Sequence, residues 1–134
     1  MLPFPSIAHG RSIIPMIGDR TIIDDLFGAS CTITSLASQD EMNVLLCAQA
    51  ILSPAAKMVD DAAMWMQKHG VDYEKSESFL RMLIATSLEH SPSPTLLDAL
   101  NTSGGYNMRL REHMTAQGMS DALEDGLNQL LNKS

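Results

Sequence analysis

The sequence predicts a mainly α-helical domain of five to six helices behind a short extended lead-in. Three observations point there. From Ser38 onward apolar residues recur at helical spacing, and glycines or prolines punctuate them. Aromatic residues make up only 4% of the chain while methionine reaches ten, so the core is aliphatic and thioether, a packing material suited to helical domains and adaptable interfaces. Pro3, Pro5 and Pro15 exclude a regular helix from Met1 to Gly18, where Ile7, Ile13, Ile14 and Ile17 suggest extended segments between turns.

The elements follow in order. Asp19 or Thr21 is placed to cap a short helix through Leu26, closed by Gly28. Cys31-Thr32-Ile33-Thr34 is β-branched and alternating, which predicts one brief strand. Ser38 with Glu41 three positions on forms a capping box for a helix to about Leu52. Ser53-Pro54 interrupts it, and Pro54 opens a second helix with Met58, Ala62, Trp65, Met66 and His69 on one face, ending at Gly70. Asp72 caps the next helix, whose apolar face is Phe79, Leu80, Leu83, Ile84 and Leu88. Ser91-Pro92-Ser93-Pro94 breaks it, and Pro94 begins a short helix bearing Leu96, Leu97 and Leu100. A helix from Tyr106 to Gln117 stops at Gly118, and Ser120 caps the last, with Leu123, Leu127, Leu130 and Leu131 in one stripe.

Composition narrows the function classes. At 134 residues and 45% hydrophobic content the chain can build one real core and is not disordered. A net charge of −7 with no basic run makes nucleic acid a poor partner. No apolar run is expected to span a membrane, and the N-terminus lacks a basic-then-apolar signal layout. Cys31 and Cys47 fit neither a disulfide framework nor a zinc knuckle, so reduced thiols in the cytoplasm are expected.

Little in the chain announces chemistry. His9, His69, His90 and His113 never form a ligand pair at one-turn spacing, so no metal site is expected. Asp24-Asp25 and Asp60-Asp61 diverge around their helices and read as solvated faces. The stretch that invites a ligand is Asn101-Thr102-Ser103-Gly104-Gly105-Tyr106-Asn107-Met108. Asn101, Thr102 or Ser103 is placed to cap the following helix, and the glycines leave backbone N–H groups open to a carboxylate or phosphate at the positive end of the helix dipole. Arg109 and Arg111 lie just beyond and are placed to assist an anion. A plain helix–helix corner accounts for the same eight residues.

The order of these features resembles the C-terminal half of the pyrroline-5-carboxylate reductases and their relatives. Thr102-Ser103-Gly104-Gly105-Tyr106-Asn107 stands where that family has a Ser-Pro-Gly-Gly-Thr-Thr-like loop. Ser53-Pro54-Ala55 looks like the segment that opens the family's long dimerisation helix, and Gly70-Val71 like its end. Leu2-Pro3-Phe4-Pro5 through Gly10 loosely resembles the segment after the last nucleotide-domain strands. The resemblance implies a 6-phosphogluconate dehydrogenase C-terminal-like fold. Residues 1–30 become a lead-in from the end of a nucleotide-binding domain, and residues 31–134 a helical dimerisation domain. It further implies a homodimer and a small carboxylate or imino acid held by Thr102, Ser103, Gly104, Gly105, Tyr106 and Asn107. Asn107 stands at the family's ring-nitrogen-binding and proton-relaying position, which makes it the candidate catalytic residue. No cofactor is expected in this chain itself; NAD(P) is implied where a nucleotide-binding domain is supplied.

The chain also departs from the pattern. Ser103 replaces the loop proline, and Tyr106 and Asn107 replace the paired hydroxyls. An asparagine hydrogen-bonds but is a poor proton donor, and tyrosine is far bulkier than threonine. The alternative expectation is a stand-alone helical interaction module without catalytic activity.

Overall fold

The computed structural model of the protein describes residues 12–133. The expectations resting on Leu2 to Gly10, including Pro3, Pro5, Ile7 and His9, lie outside the described residues. Among those described, two strands and seven α-helices alternate as β1 (Ile13–Ile17), α1 (Thr21–Phe27), β2 (Thr32–Leu36), α2 (Gln39–Ala48), α3 (Leu52–Lys68), α4 (Tyr73–His90), α5 (Ser93–Ala99), α6 (Tyr106–Ala116) and α7 (Met119–Leu131). A 3₁₀ turn, Gln49–Ile51, lies between α2 and α3. The protein is mainly α, with six helices following the extended lead-in and its short α1. It divides into two compact units, Met1–Gln49 with Leu127–Ser134, and Ala50–Gly126.

In the first unit β1 and β2 pair in parallel, with Ile14 opposite Ile33 and Pro15 opposite Thr34. Parallel neighbours need a crossover, and α1 supplies it. Thr32 N–H donates to the Ser12 carbonyl at 2.7 Å. Peptide groups alternate along a strand, so those of residues 12, 14 and 16 face β2 and those of 13, 15 and 17 face away. The N–H that Pro15 lacks is therefore missing from the outer side, where the β1–β2 ladder does not need it. Ile14, Pro15 and Met16 are buried, and Met42 on α2 joins them in the core. The sheet carries the extended segment beyond residue 30, because the strand expected at Cys31 to Thr34 sits at Thr32–Leu36 and hydrogen-bonds to the lead-in.

Helix ends follow local chemistry closely. Ser38 caps α2 by accepting the Glu41 N–H at 3.2 Å, while the Glu41 carboxylate takes the Ala37 N–H at 2.7 Å. Asp72 caps α4 by accepting the Lys75 N–H. Gly70 ends α3 with φ +89; its N–H reaches the Gln67 carbonyl and the Val71 N–H reaches that of Met66, both at 3.1 Å. This is a Schellman motif, and it needs a residue without a Cβ penalty at the left-handed position. Two caps differ from expectation. Asp19 accepts from Thr21 N–H, but Arg20 is the residue at the N-cap of α1. Ser120 does not cap α7: the helix starts at Met119, directly after Gly118 closes α6, and the Gly118 carbonyl accepts the Ala122 N–H.

In the second unit α3 and α4 pack against each other. The small residues Ala63 and Ser76 are both fully buried, and the Ser76 hydroxyl is satisfied by the Asp72 carbonyl at 2.8 Å. Tyr73 Oη donates to Asp60 Oδ1 at 2.6 Å across the pair. The stripes expected to be core are largely open in the single chain: Met58, Trp65, Phe79, Leu83, Ile84 and Leu88 are all exposed. A second expectation also fails. The helical run Gln39–Lys68 is long and apolar enough to cross a membrane by length and composition, because Ser53-Pro54 sits in the first turn of α3, where proline is tolerated.

Ala63→Leu should cost about 1–3 kcal/mol of stability by overpacking the α3–α4 contact, measured by urea unfolding. The Tyr73 phenol is raised above its ordinary 10.0, first by its bond to Asp60, then by lost hydration and the negative charges of Asp60 and Glu77. A raised pKa means that this bond's contribution is complete below pH 10.0 and is lost as pH rises through the higher folded value. Tyr73→Phe should therefore lower the thermal midpoint at neutral pH and flatten its fall above pH 10.

Candidate functional site

The Asn101–Met108 corner is built by a turn and a bare helix start. Gly105 N–H donates to the Thr102 carbonyl at 2.9 Å, closing a turn whose third residue, Gly104, takes φ +71. That left-handed position suits glycine, as at the third residue of a type II turn. Gly105 is itself the N-cap of α6, with φ −69 and ψ 157 and no side-chain capping bond. Its carbonyl opens the helix by accepting the Arg109 N–H at 3.1 Å. A Cβ built on Gly105 would stand 3.0 Å from the Thr102 carbonyl oxygen, so the turn also relies on the missing side chain there.

This geometry corrects two expectations. None of Asn101, Thr102 and Ser103 caps α6, because the Thr102–Gly105 turn places Gly105 at the capping position. The Gly105 N–H is consumed inside the turn and is not presented outward. The donors left at the helix start are those of Tyr106, Asn107 and Met108, which precede the first intrahelical bond at Arg109.

The side chains are arranged around this start. Arg111 donates to Asn101 Oδ1 at 2.7 Å, tying the front of the corner to the second turn of α6. One of the two arginines expected to meet an anion is thus already engaged by the loop. Arg109 keeps an exposed guanidinium with no protein partner among the described residues. Thr102, Ser103, Gly104 and Asn107 are exposed and Gly105 is half-buried. Tyr106 is 89% exposed, so the ring projects from the helix start and does not pack on the loop.

Other chemistry is sparse. Among the described residues no group of His, Cys, Asp or Glu is placed to hold a metal ion. His69 and His90 each set Nδ1 on the carbonyl four residues back, Trp65 at 2.8 Å and Thr86 at 2.7 Å, which makes them helix-end residues. Lys57 pairs with Asp61 on the solvated face of α3, and Asp60 is engaged by Tyr73, so the Asp60-Asp61 pair is structural. In the first unit Leu36, Asp40, Glu41, Val44 and Leu45 line an open apolar cleft that the sequence did not single out. The alternation of β2 running into the capping box was its only trace there.

No protein-family model matches the chain, and no curated protein sequence matches it. Among solved structures the fold is similar to the pyrroline carboxylate reductase of Plasmodium falciparum, determined with NADP bound, at a TM-score of 0.74 and 18% sequence identity. The likeness covers 98% of this chain and 57% of the reductase chain, so the protein spans somewhat over half of that enzyme's length. At this identity the likeness establishes the fold.

Gly104→Val forces a β-branched residue into the left-handed region and should destabilise the corner by about 1–2 kcal/mol. Gly104→Asn, which tolerates that region, should stay close to the unsubstituted protein. Thermal unfolding of the two variants side by side checks the turn.

Proposed function

We propose that the chain is the helical dimerisation and substrate-carboxylate-binding portion, the C-terminal one, of a pyrroline-5-carboxylate reductase-like NAD(P)-dependent oxidoreductase of the cytoplasm. The observation that carries this reading is the fold shared over nearly the whole chain with a reductase solved with NADP. The loop at Thr102–Asn107 supports it by leaving three backbone donors and the positive end of α6 at one exposed corner.

The turn between β1 and α1 does not itself fit a dinucleotide. In nucleotide-binding α/β folds the pyrophosphate sits over a glycine-rich turn at the start of the helix after a strand. The corresponding turn here is Gly18-Asp19-Arg20. The Asp19 carboxylate already accepts Thr21 N–H at 2.9 Å and Thr21 Oγ1 at 2.6 Å at the start of α1. A phosphate at that position would face an anion already in place. In this reading a domain outside the given sequence holds the nucleotide, and this chain binds and orients the substrate.

Magnitudes set what the corner does alone. Charge-assisted contacts at an exposed helix start are worth about 0.3–1 kcal/mol each, so three donors supply about 1–3 kcal/mol. Millimolar affinity needs about 4 kcal/mol. The corner by itself therefore binds a carboxylate more weakly than millimolar, and Arg109 or the assembled enzyme must add the remainder. Asn107 in this role hydrogen-bonds a substrate nitrogen or oxygen without delivering a proton.

Dimerisation is the other half of the proposal. Met58 and Trp65 on α3 and Phe79 and Leu83 on α4 are exposed apolar residues of one unit. Exposed apolar surface of that extent marks an interaction face, and a second copy covers it most simply. A second reading, an interaction module without catalytic activity, is favoured by the projecting Tyr106 ring and by the consumed Gly105 N–H.

Sedimentation at micromolar concentration should give twice 14.6 kDa, and Met58→Asp should return the monomer with its helical circular dichroism intact. A wild-type species of 14.6 kDa alone would remove the dimer. Titration with L-proline to tens of millimolar (about ten times the scale set above) should shift the Tyr106, Asn107 and Met108 amide resonances. Unmoved amides leave the interaction-module reading standing and sink the carboxylate site.

A further inference from the structure

No further inference is drawn: the strongest candidate, the uncharged and proline-free outer edge of β2 with the apolar cleft of Leu36, Val44 and Leu45 beside it, carries nothing because nothing in the structure shows what covers it.

Discussion

Gly70 adopts φ +89, and in doing so lets Val71 donate to the Met66 carbonyl and turns the chain from α3 into α4. The second unit is organised by that reversal. With Asp72 immediately capping the next helix, only a few residues separate the two, which makes them antiparallel neighbours. Close approach then requires small side chains at the contact, and Ala63 and Ser76 meet it. Of the larger residues, Met66, Tyr73 and Leu80 are half-buried, and Met58, Trp65, Phe79 and Leu83 are exposed. The Tyr73–Asp60 bond fastens the turn end of the pair, so the same few positions set both direction and spacing.

Burying small residues at the helix contact has a consequence for the rest of the chain. With 45% hydrophobic residues, the protein has far more apolar surface than Ile14, Pro15, Met16, Met42 and Ala63, the apolar residues buried among those described, account for. At about 25 cal/mol per Å² of apolar area removed from water, covering the faces of α3 and α4 is strongly favourable. The acidic charge of −7 opposes self-association only over a Debye length, about 8 Å at physiological salt. On the two helices Asp61 and Glu77 are each paired locally, with Lys57 and Arg81. The apolar run from Gln39 to Lys68 belongs to the same surplus.

At the glycine corner the two adjacent glycines have different tasks. Gly104 supplies a left-handed backbone, while Gly105 supplies room beside the Thr102 carbonyl and serves as the N-cap. A glycine at the cap gives no side-chain acceptor, so the first-turn donors stay uncovered. That is what separates this corner from the starts of α2 and α4, where Ser38 and Asp72 each take up a donor. The corner is thus open by composition, and Arg111 bound to Asn101 keeps it attached to α6.

Most of this could be read from the residues. Ser38, Asp72, Gly70 and Gly118 fix helix ends because caps and left-handed glycines act within a few residues, through bonds that spacing alone specifies. The order of helices from Ser38 to the C-terminus followed from the same signals, as did the place of the Gly-Gly corner. Three matters waited for the tertiary structure. The pairing of β1 with β2 joins segments that local pattern does not connect, since register and parallel sense depend on the crossover through α1. The donor taken from the site, Gly105 N–H, went to a turn whose closure depends on the conformation of Gly104, which residue type permits but does not dictate. Periodicity marked the apolar stripes of α3 and α4 correctly as apolar, but which face is covered within one chain depends on how closely the two helices approach. Ala63 and Ser76 are the fully buried residues of the two helices, while of the stripes Met66 and Leu80 are half-buried and Met58, Trp65, Phe79 and Leu83 exposed.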